Sequence, residues 1–352
     1  MTREQTAALL ASAAAGLCCC KSKDPSPWAV SLTRKGTVLR LRAQVTAADA
    51  RGELLAVGTK DGRVLLAERR RGAEAAELVA EDGAVHDGPL RVVRLSRTGR
   101  QLLSVGGHVA AFWDTTTRRL RRRVRGPEAI TAGALQPAGD YAFFGTARGH
   151  VLRWTPTSPK ADPVASAACG GTRVAPARMR LPEGRRCPYG AYVEPDGQPP
   201  ACLYPVTQLR FVFDNSLVRV CRTGEGLLVN LGTASRTYFS PGHLGALAPV
   251  GRDLALARDD GPVRLYSSQH RKVVRTYQPG GEPASALTAA SELVVAARGR
   301  VLRVWHREHR DPAGPPVTLP GTPAWMALER PLLWVLLVDG RLLTYAVSVR
   351  PR

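Results

Sequence analysis

The sequence predicts an all-β fold, a β-propeller of seven blades, because one phrase recurs along the chain. Each copy is a run of β-forming residues, a glycine turn and a second run that ends in an aromatic residue, as in LLSVGGHVAAFW at 102–113. The turn glycines stand about 40 residues apart, except for one interval of 112, at Gly62, Gly107, Gly149, Gly261, Gly299 and Gly340. Repeats of this length that contain only strands and turns are typical of propellers, in which each blade packs against its neighbours.

The repeat divides the chain into seven units. They lie near 45–81, 90–126, 130–156 with its continuation, 206–240, 244–279, 284–320 and 323–348. The last unit supplies only three strands, and TVLRLRA at 37–43 is available as its fourth, so we predict that an N-terminal strand closes the ring. The strand WAVSLT at 28–33 has no assigned place in this scheme, and an eight-bladed ring with one incomplete blade is the alternative.

Composition separates four parts of the chain. Residues 1–27 are predicted to be an N-terminal helix or tail, 28–348 the propeller, and 349–352 a C-terminal tail. Within the propeller, 157–205 is an insertion, since its prolines and glycines do not suit a blade and its length exceeds an ordinary turn. Long excursions from a rigid scaffold often carry function, and filler sequence is the other interpretation.

The units resemble those of the WD-repeat family, over about residues 45–348. Trp113-Asp114 stands at the family's Trp-Asp position, where the third strand of a unit ends. Large aromatic residues occupy the same place in other units, at Trp154, Tyr266, Trp305 and Tyr345. The resemblance implies a rigid, non-catalytic platform that binds proteins on its faces and rim, with Trp113, Trp154 and Trp305 packed between blades.

The sequence also departs from the family pattern. No unit has the family's Gly-His pair before its first strand, because Gly107-His108 and Gly149-His150 fall within the turn between second and third strands. We therefore expect that the Asp/His/Ser/Trp hydrogen-bond set of well-formed repeats is not assembled in any unit.

The chain is strongly basic, with 50 Lys and Arg against 29 Asp and Glu and a net charge of +21. A positive field of this size attracts polyanions such as nucleic acid, an anionic membrane or an acidic protein. The densest basic run lies on the predicted outermost strand of the second unit, at Arg118, Arg119, Arg121, Arg122, Arg123 and Arg125. These arginines are the candidate polyanion-binding residues, and protection of a sheet edge against aggregation is the other interpretation.

We expect the protein to be a scaffold within a larger, RNA-containing assembly, with other proteins as partners and no obligate homo-oligomer. The first alternative is a membrane-associated adaptor held by residues 1–23. Cys18, Cys19 and Cys20 beside Lys21 and Lys23 are candidates for acylation, and basic and acyl signals together anchor a protein. No apolar stretch reaches the ~18–20 residues that span a bilayer.

Catalytic and metal-binding patterns give little support to other functions. The seven cysteines are not spaced as a disulfide framework, which favours a reducing, intracellular compartment, nucleus, nucleolus or cytoplasm. Cys169, Cys187 and Cys202 lack the close pair of a zinc site, and His306 and His309 fall on a predicted exposed turn.

Common nucleotide-binding loops and nucleophile elbows are absent from the sequence, so we expect no cofactor and no enzyme activity. A propeller enzyme that uses the central channel is the second alternative.

Overall fold

The structure is a computed structural model that describes residues 28–69, 76–81, 83–158, 160–163, 170–173, 191–192, 201–213, 215–231, 233, 236–239, 244–258, 261–277, 283–290 and 292–351. The predicted N-terminal helix or tail at 1–27 lies outside these residues. The described residues form strands and turns, with no helix among them. Seven four-stranded sheets surround a central channel, which confirms the all-β, seven-bladed propeller and rules out the eight-bladed alternative.

The first three blades follow the order of the chain. Strand β1 spans Trp28–Arg40 and joins the last blade. Blade 1 contains β2 to β5, at Val45–Arg51, Leu54–Thr59, Val64–Glu68 and Ala76–Glu77. Blade 2 contains β6 to β9, at Leu90–Leu95, Gln101–Gly106, Val109–Asp114 and Arg119–Arg125. Blade 3 contains β10 to β13, at Ile130–Leu135, Ala142–Thr146, Val151–Trp154 and Asp162–Pro163.

The insertion and the remaining blades come next. The insertion carries a separate three-stranded sheet of β14 to β16, at Gly170–Arg173, Ala191–Tyr192 and Ala201–Leu203. Blade 4 contains β17 to β20, at Val206–Phe213, Ser216–Cys221, Gly226–Asn230 and Arg236–Phe239. Blade 5 contains β21 to β24, at Leu244–Val250, Asp253–Arg258, Val263–Ser267 and Lys272–Tyr277. Blade 6 contains β25 to β28, at Ala286–Ala290, Leu293–Arg298, Val301–His306 and Val317–Thr318.

Blade 7 closes the ring with strands from both ends of the described chain. It contains β29 to β31, at Pro323–Glu329, Leu332–Leu337 and Arg341–Pro351, and β1 pairs antiparallel with β31 as its outermost strand. The predicted closure is confirmed, but the predicted strands at 28–33 and 37–43 form one strand. A bulge between Arg34 and Gly36, with Gly36 at φ +152°, lets the strand continue through a sequence that looks like a turn. Strand β31 also runs into the predicted tail at 349–352.

The first strand of each blade is innermost, and these seven strands contact one another around the channel in the order β2, β6, β10, β17, β21, β25, β29 and back to β2. We call the lower face the one that carries the turns between first and second strands. The upper face carries the turns between second and third strands and the connections between blades.

The core lies between blades, and the predicted tryptophans are part of it. Trp113, Trp154 and Trp305 are 2%, 1% and 0% exposed. Trp113 belongs to the cluster between blades 1 and 2, and Trp154 packs against Phe112 of blade 2 with ring centroids 4.8 Å apart. The prediction that these rings are core is confirmed, because neighbouring faces of two sheets cover each of them.

Blade 2 contains most of a hydrogen-bond set that we expected to be missing from every unit. His86 Nε2 lies 2.8 Å from Ser104 Oγ, and Trp113 Nε1 donates to the same oxygen at 2.8 Å. That expectation is therefore wrong for the His, Ser and Trp members. The histidine stands in AVHDG, four residues before β6 and without a preceding glycine, so the Gly-His pair does not mark it. Burial lowers the pKa of His86 from 6.5 to about 4, which keeps the imidazole neutral in this network.

Candidate polyanion-binding surface

The six arginines at Arg118, Arg119, Arg121, Arg122, Arg123 and Arg125, called here the arginine edge, lie on the outermost strand of blade 2. Arg118 precedes β9 with a left-handed backbone, φ +58°, and the other five belong to β9 itself. Five of the six are exposed, and Arg122 is half-buried. The strand is therefore where the sequence predicts it. Among the described strands it pairs along its length with β8 alone, and a single bridge joins Arg119 to Val79 at its outer edge.

Pairing with β8 sets the directions of these side chains. Arg122 is opposite Phe112, on the face toward blade 3, and its Nη1 donates to the Thr157 carbonyl oxygen at 3.4 Å. Arg119 lies near blade 1, where its Nη1 contacts Glu81 Oε1 at 3.1 Å. The guanidinium groups therefore project to both sides of an exposed strand, and a flexible polyanion could contact several of them along one edge.

The arginine edge reaches the upper face at Arg125. Arg125 lines a cavity of about 630 Å³ that also contacts Arg91, His108 and Asp87. A second cavity of about 550 Å³ contacts Arg91 and Arg222. Basic side chains thus continue from the outer strand of blade 2 toward the upper mouth of the channel, a connection that the linear run does not reveal.

The sequence contained one signal for Arg91. In blades 1 to 4, the second residue of the inner strand is Thr46, Arg91, Thr131 and Thr207. Arg91 is the charged residue among these four, and this departure from threonine could have pointed to it.

The other candidate residues are not brought to this surface. Cys18, Cys19, Cys20, Cys169 and Cys187 lie outside the described residues, and Cys202 belongs to β16. Among the described residues no helix is both long and apolar enough to cross a membrane.

One of the seven cysteines takes part in a disulfide, and the expectation of a reducing compartment stays a prediction. Cys221 is buried and disulfide-bonded. Val206 pairs with Cys221 in register, so the end of the insertion lies beside this cysteine although the sequence separates them.

His306, Glu308 and His309 form the cluster of potential metal ligands in the described part of the chain, with donor atoms within 4.8 Å of one another. The turn is less exposed than predicted, because His306 is buried and stacks on Trp28 of β1, with ring centroids 5.4 Å apart. Burial is the main cause that lowers the pKa of His306. Arg275 donates to the Glu308 carbonyl oxygen, which brings a cation beside the cluster and disfavours a bound metal ion.

Comparison with known proteins supports the fold. No protein-family model matches the chain, and no curated protein matches it. Among solved structures, it is similar to the crystal structure of the Myceliophteria thermophila Cps50 (Swd1) β-propeller domain, with a TM-score of 0.68 and 16% sequence identity. The match covers 90% of this chain and 100% of that chain. At this identity the likeness establishes a shared propeller architecture.

Proposed function

We propose that this protein is a non-catalytic scaffold that binds other proteins within a larger, RNA-containing assembly, and that the arginine edge contacts the RNA backbone. The observation that carries the proposal is the exposure of five arginines on and beside one outermost strand. Each phosphate that a guanidinium group neutralises releases condensed counterions, so a row of arginines supports binding without sequence recognition. The implied site of action is inside the cell.

The surroundings of the edge favour backbone contact over base recognition. Leu120 and Val124 are the only residues of β9 that are not arginine, so the strand has no aromatic side chain on which a base could stack. Phosphate contacts position a nucleic acid without reading its sequence. We therefore expect similar affinities for single-stranded RNAs of different sequence.

The scaffold part of the proposal rests on the closed ring. A ring of seven sheets closed by β1 and β31 presents two faces and a rim on a rigid frame. Such a frame can hold several protein partners at fixed positions. Co-purification of the tagged chain with and without nuclease tests this part, since partners that stay after nuclease treatment are bound through protein.

A salt titration tests the RNA contact. A variant with the five exposed edge arginines, Arg118, Arg119, Arg121, Arg123 and Arg125, changed to Ser should bind RNA more weakly. Its log–log salt slope should fall by several units, at about 0.7 to 0.9 per lost phosphate contact. Surface changes usually alter the free energy of unfolding by under ~0.5 kcal/mol each, so the variant should stay folded.

The matched control removes the same charge from outermost strands of two other blades. It changes five exposed cations on blades 5 and 7 to Ser, at Arg34, Lys35, Arg40, Arg271 and Lys272. If the arginine edge binds RNA, this control keeps most of the wild-type slope. Equal losses in both variants would show that the net charge of the whole molecule, rather than β9, attracts RNA.

Deletion of residues 1–23 separates the proposal from the membrane-adaptor alternative. The deletion should leave RNA affinity unchanged. If the full chain pellets with membranes and the deleted chain does not, the adaptor alternative is favoured.

A further inference from the structure

The inner strands share a register that brings distant residues to the same height in the channel. Six of them have a β-bulge at their second residue: β2, β6, β10, β17, β21 and β29. Counting from this common start, the fifth residues are Asp49, Arg94, Ala134, Arg210, Ala248 and Ala327. Charged side chains therefore occupy one position of the repeat in blades 1, 2 and 4, and alanine occupies it in blades 3, 5 and 7.

These charged residues line a cavity of about 280 Å³ where the inner strands reach the lower face. Arg51 and Arg97 also line it, and part of its wall is apolar, with Leu135, Phe211 and Pro249 among the contacts. The cavity is separate from the upper cavities and from the arginine edge, with which it shares no lining residue.

The hydrogen bonds inside the cavity use little of the capacity of its guanidinium groups. Arg94 Nη1 donates to the Val93 carbonyl oxygen at 2.9 Å, and Arg210 Nη1 donates to that of Leu247 at 2.8 Å. Arg94 Nε is buried with no acceptor among the described residues. A guanidinium group has five N–H donors in a planar fork, so these bonds leave donors that a ligand can use.

The carboxylate in the cavity balances only part of the positive charge. Asp49 Oδ2 accepts from the Leu95 N–H at 2.9 Å, and Asp49 Oδ1 is 3.7 Å from Arg51 Nη1. Among the described residues that line the cavity, Asp49 is the one acidic side chain that faces Arg51, Arg94 and Arg210. Burial is the main cause that lowers the pKa of both Arg94 and Arg210, and the pKa of Arg210 is lowered to about 10. The positive charge of Arg94 also lowers the pKa of Arg210. Desolvated like charges repel one another, and a bound anion would relieve this repulsion.

We propose that this lower end of the channel is a binding site for a small phosphate ester, held between the guanidinium groups of Arg51, Arg94 and Arg210. Arginine forks match the geometry of phosphate oxygens and bind them through paired, charge-assisted hydrogen bonds. Asp49 balances one of the three positive charges of Arg51, Arg94 and Arg210, and the exposed Arg97 also lines the cavity, so a surplus of at least two positive charges attracts a phosphate monoester dianion. The volume of the cavity is near the lower limit for ligand pockets, which suits a compact ester, and its apolar wall suits the organic part of such an ester.

Calorimetric titration with inorganic phosphate, at an ionic strength held constant with sodium chloride, tests the site directly. The full-length protein should bind phosphate, and Arg94→Gln and Arg210→Gln should each weaken binding about tenfold or more, since each removes charge-assisted hydrogen bonds. The matched control is Arg91→Gln, on the same strand as Arg94 but at the upper end of the channel, and it should bind like wild type. Thermal melts without phosphate verify folding, and Arg51→Gln replaces either variant that does not fold.

Equal phosphate affinity in wild type, the Arg94 and Arg210 variants and the Arg91 control would overturn the proposal, as would no binding to wild type. Free phosphoserine and a phosphoserine peptide then separate two sources of the same chemistry. Tighter binding of the free ester indicates a small metabolite, and tighter binding of the peptide indicates a modified side chain of a partner. The five-serine edge variant should bind phosphate normally, so failure of this site and failure of the RNA proposal give different results.

Discussion

Trp113 packs between blades 1 and 2 and donates a hydrogen bond to Ser104 of its own blade. Its place at the end of the third strand of a unit indicated a ring packed between blades, and the structure buries it against blade 1. The hydrogen-bond network around it was not predicted. Ser104, which accepts from the Trp113 indole, is 9 residues away, and His86, which bonds Ser104, is 27 residues from Trp113, so the three meet only when the blade forms. Periodicity predicts which face a residue occupies, whereas the partner of a polar atom depends on how strands pair.

Replacing Trp113 or Trp154 by Ala should destabilise the fold by about 3–5 kcal/mol, because each change leaves a large cavity between two blades. Chemical denaturation measures the free energy of unfolding. Tyr238→Ala is the control, since that ring is 61% exposed and should cost little. Tryptophan variants as stable as wild type would show that these rings do not hold the blades together.

His86 should make stability depend on pH. Its pKa is about 4 in the folded protein and about 6.5 when unfolded, so protons bind the unfolded chain first as the pH falls. Stability from this residue is complete above pH 6.5 and is lost as the pH falls toward 4, by about 2 kcal/mol between pH 7 and pH 5. Denaturation across this range should show a shallower decline for His86→Gln. The exposed His108→Gln should keep the wild-type slope, and a wild-type slope in both variants would contradict the assignment.

The role of strand β1 in closing the ring was predicted, but the residues at which the strand begins and ends were not. A three-stranded last unit required a strand from elsewhere, and that need pointed to the N-terminal region. The charged stretch Arg34-Lys35-Gly36 has the composition of a turn, and the predicted strands at 28–33 and 37–43 lie on either side of it. The bulge there depends on pairing with β31, a long-range contact that no local propensity contains.

Gly314→Val tests how tightly β1 must dock. A Cβ atom at Gly314 would clash with the Val30 carbonyl oxygen, beside the hydrogen bond from the Val30 N–H to Ala313 at 2.8 Å. The variant should lose about 1–3 kcal/mol of stability and expose β1 to proteolysis. Gly88→Ala is the control, because nothing lies within 4 Å of its added Cβ. Equal protease resistance in both variants would show that β1 contributes little to closure.

For the whole molecule, the repeat phrase predicted the architecture and left the channel unpredicted. Periodicity places an arginine on an inner strand, but it does not show that Asp49, Arg94 and Arg210 end at one height in one cavity. That height follows from bulges that recur at the same strand position, which become visible only when the blades are aligned in space. An arginine at the same repeat position in two units was the available signal.

The net charge of +21 should make the whole fold sensitive to salt. Between about 20 mM and 200 mM sodium chloride the Debye length falls from roughly 20 Å to roughly 7 Å, which screens repulsion between cations. We expect the melting temperature to rise over this range. The five-serine edge variant should show a smaller rise because it carries less charge. A melting temperature that falls with salt would mean that attractive ion pairs outweigh the repulsion.

The pairing of β1 with β31 also sets an order of events during protein synthesis. Among the described strands, the one made first pairs with the one made last, and about 300 residues separate Arg40 from Arg341. At about 5–20 residues per second, the ribosome needs roughly 15–60 s to produce that partner. During this time β1 is an unpaired strand on a nascent chain, and its charged residues Arg34, Lys35 and Arg40 discourage association with other strands. The propeller can therefore be assembled blade by blade during translation but closed only when β31 leaves the exit tunnel.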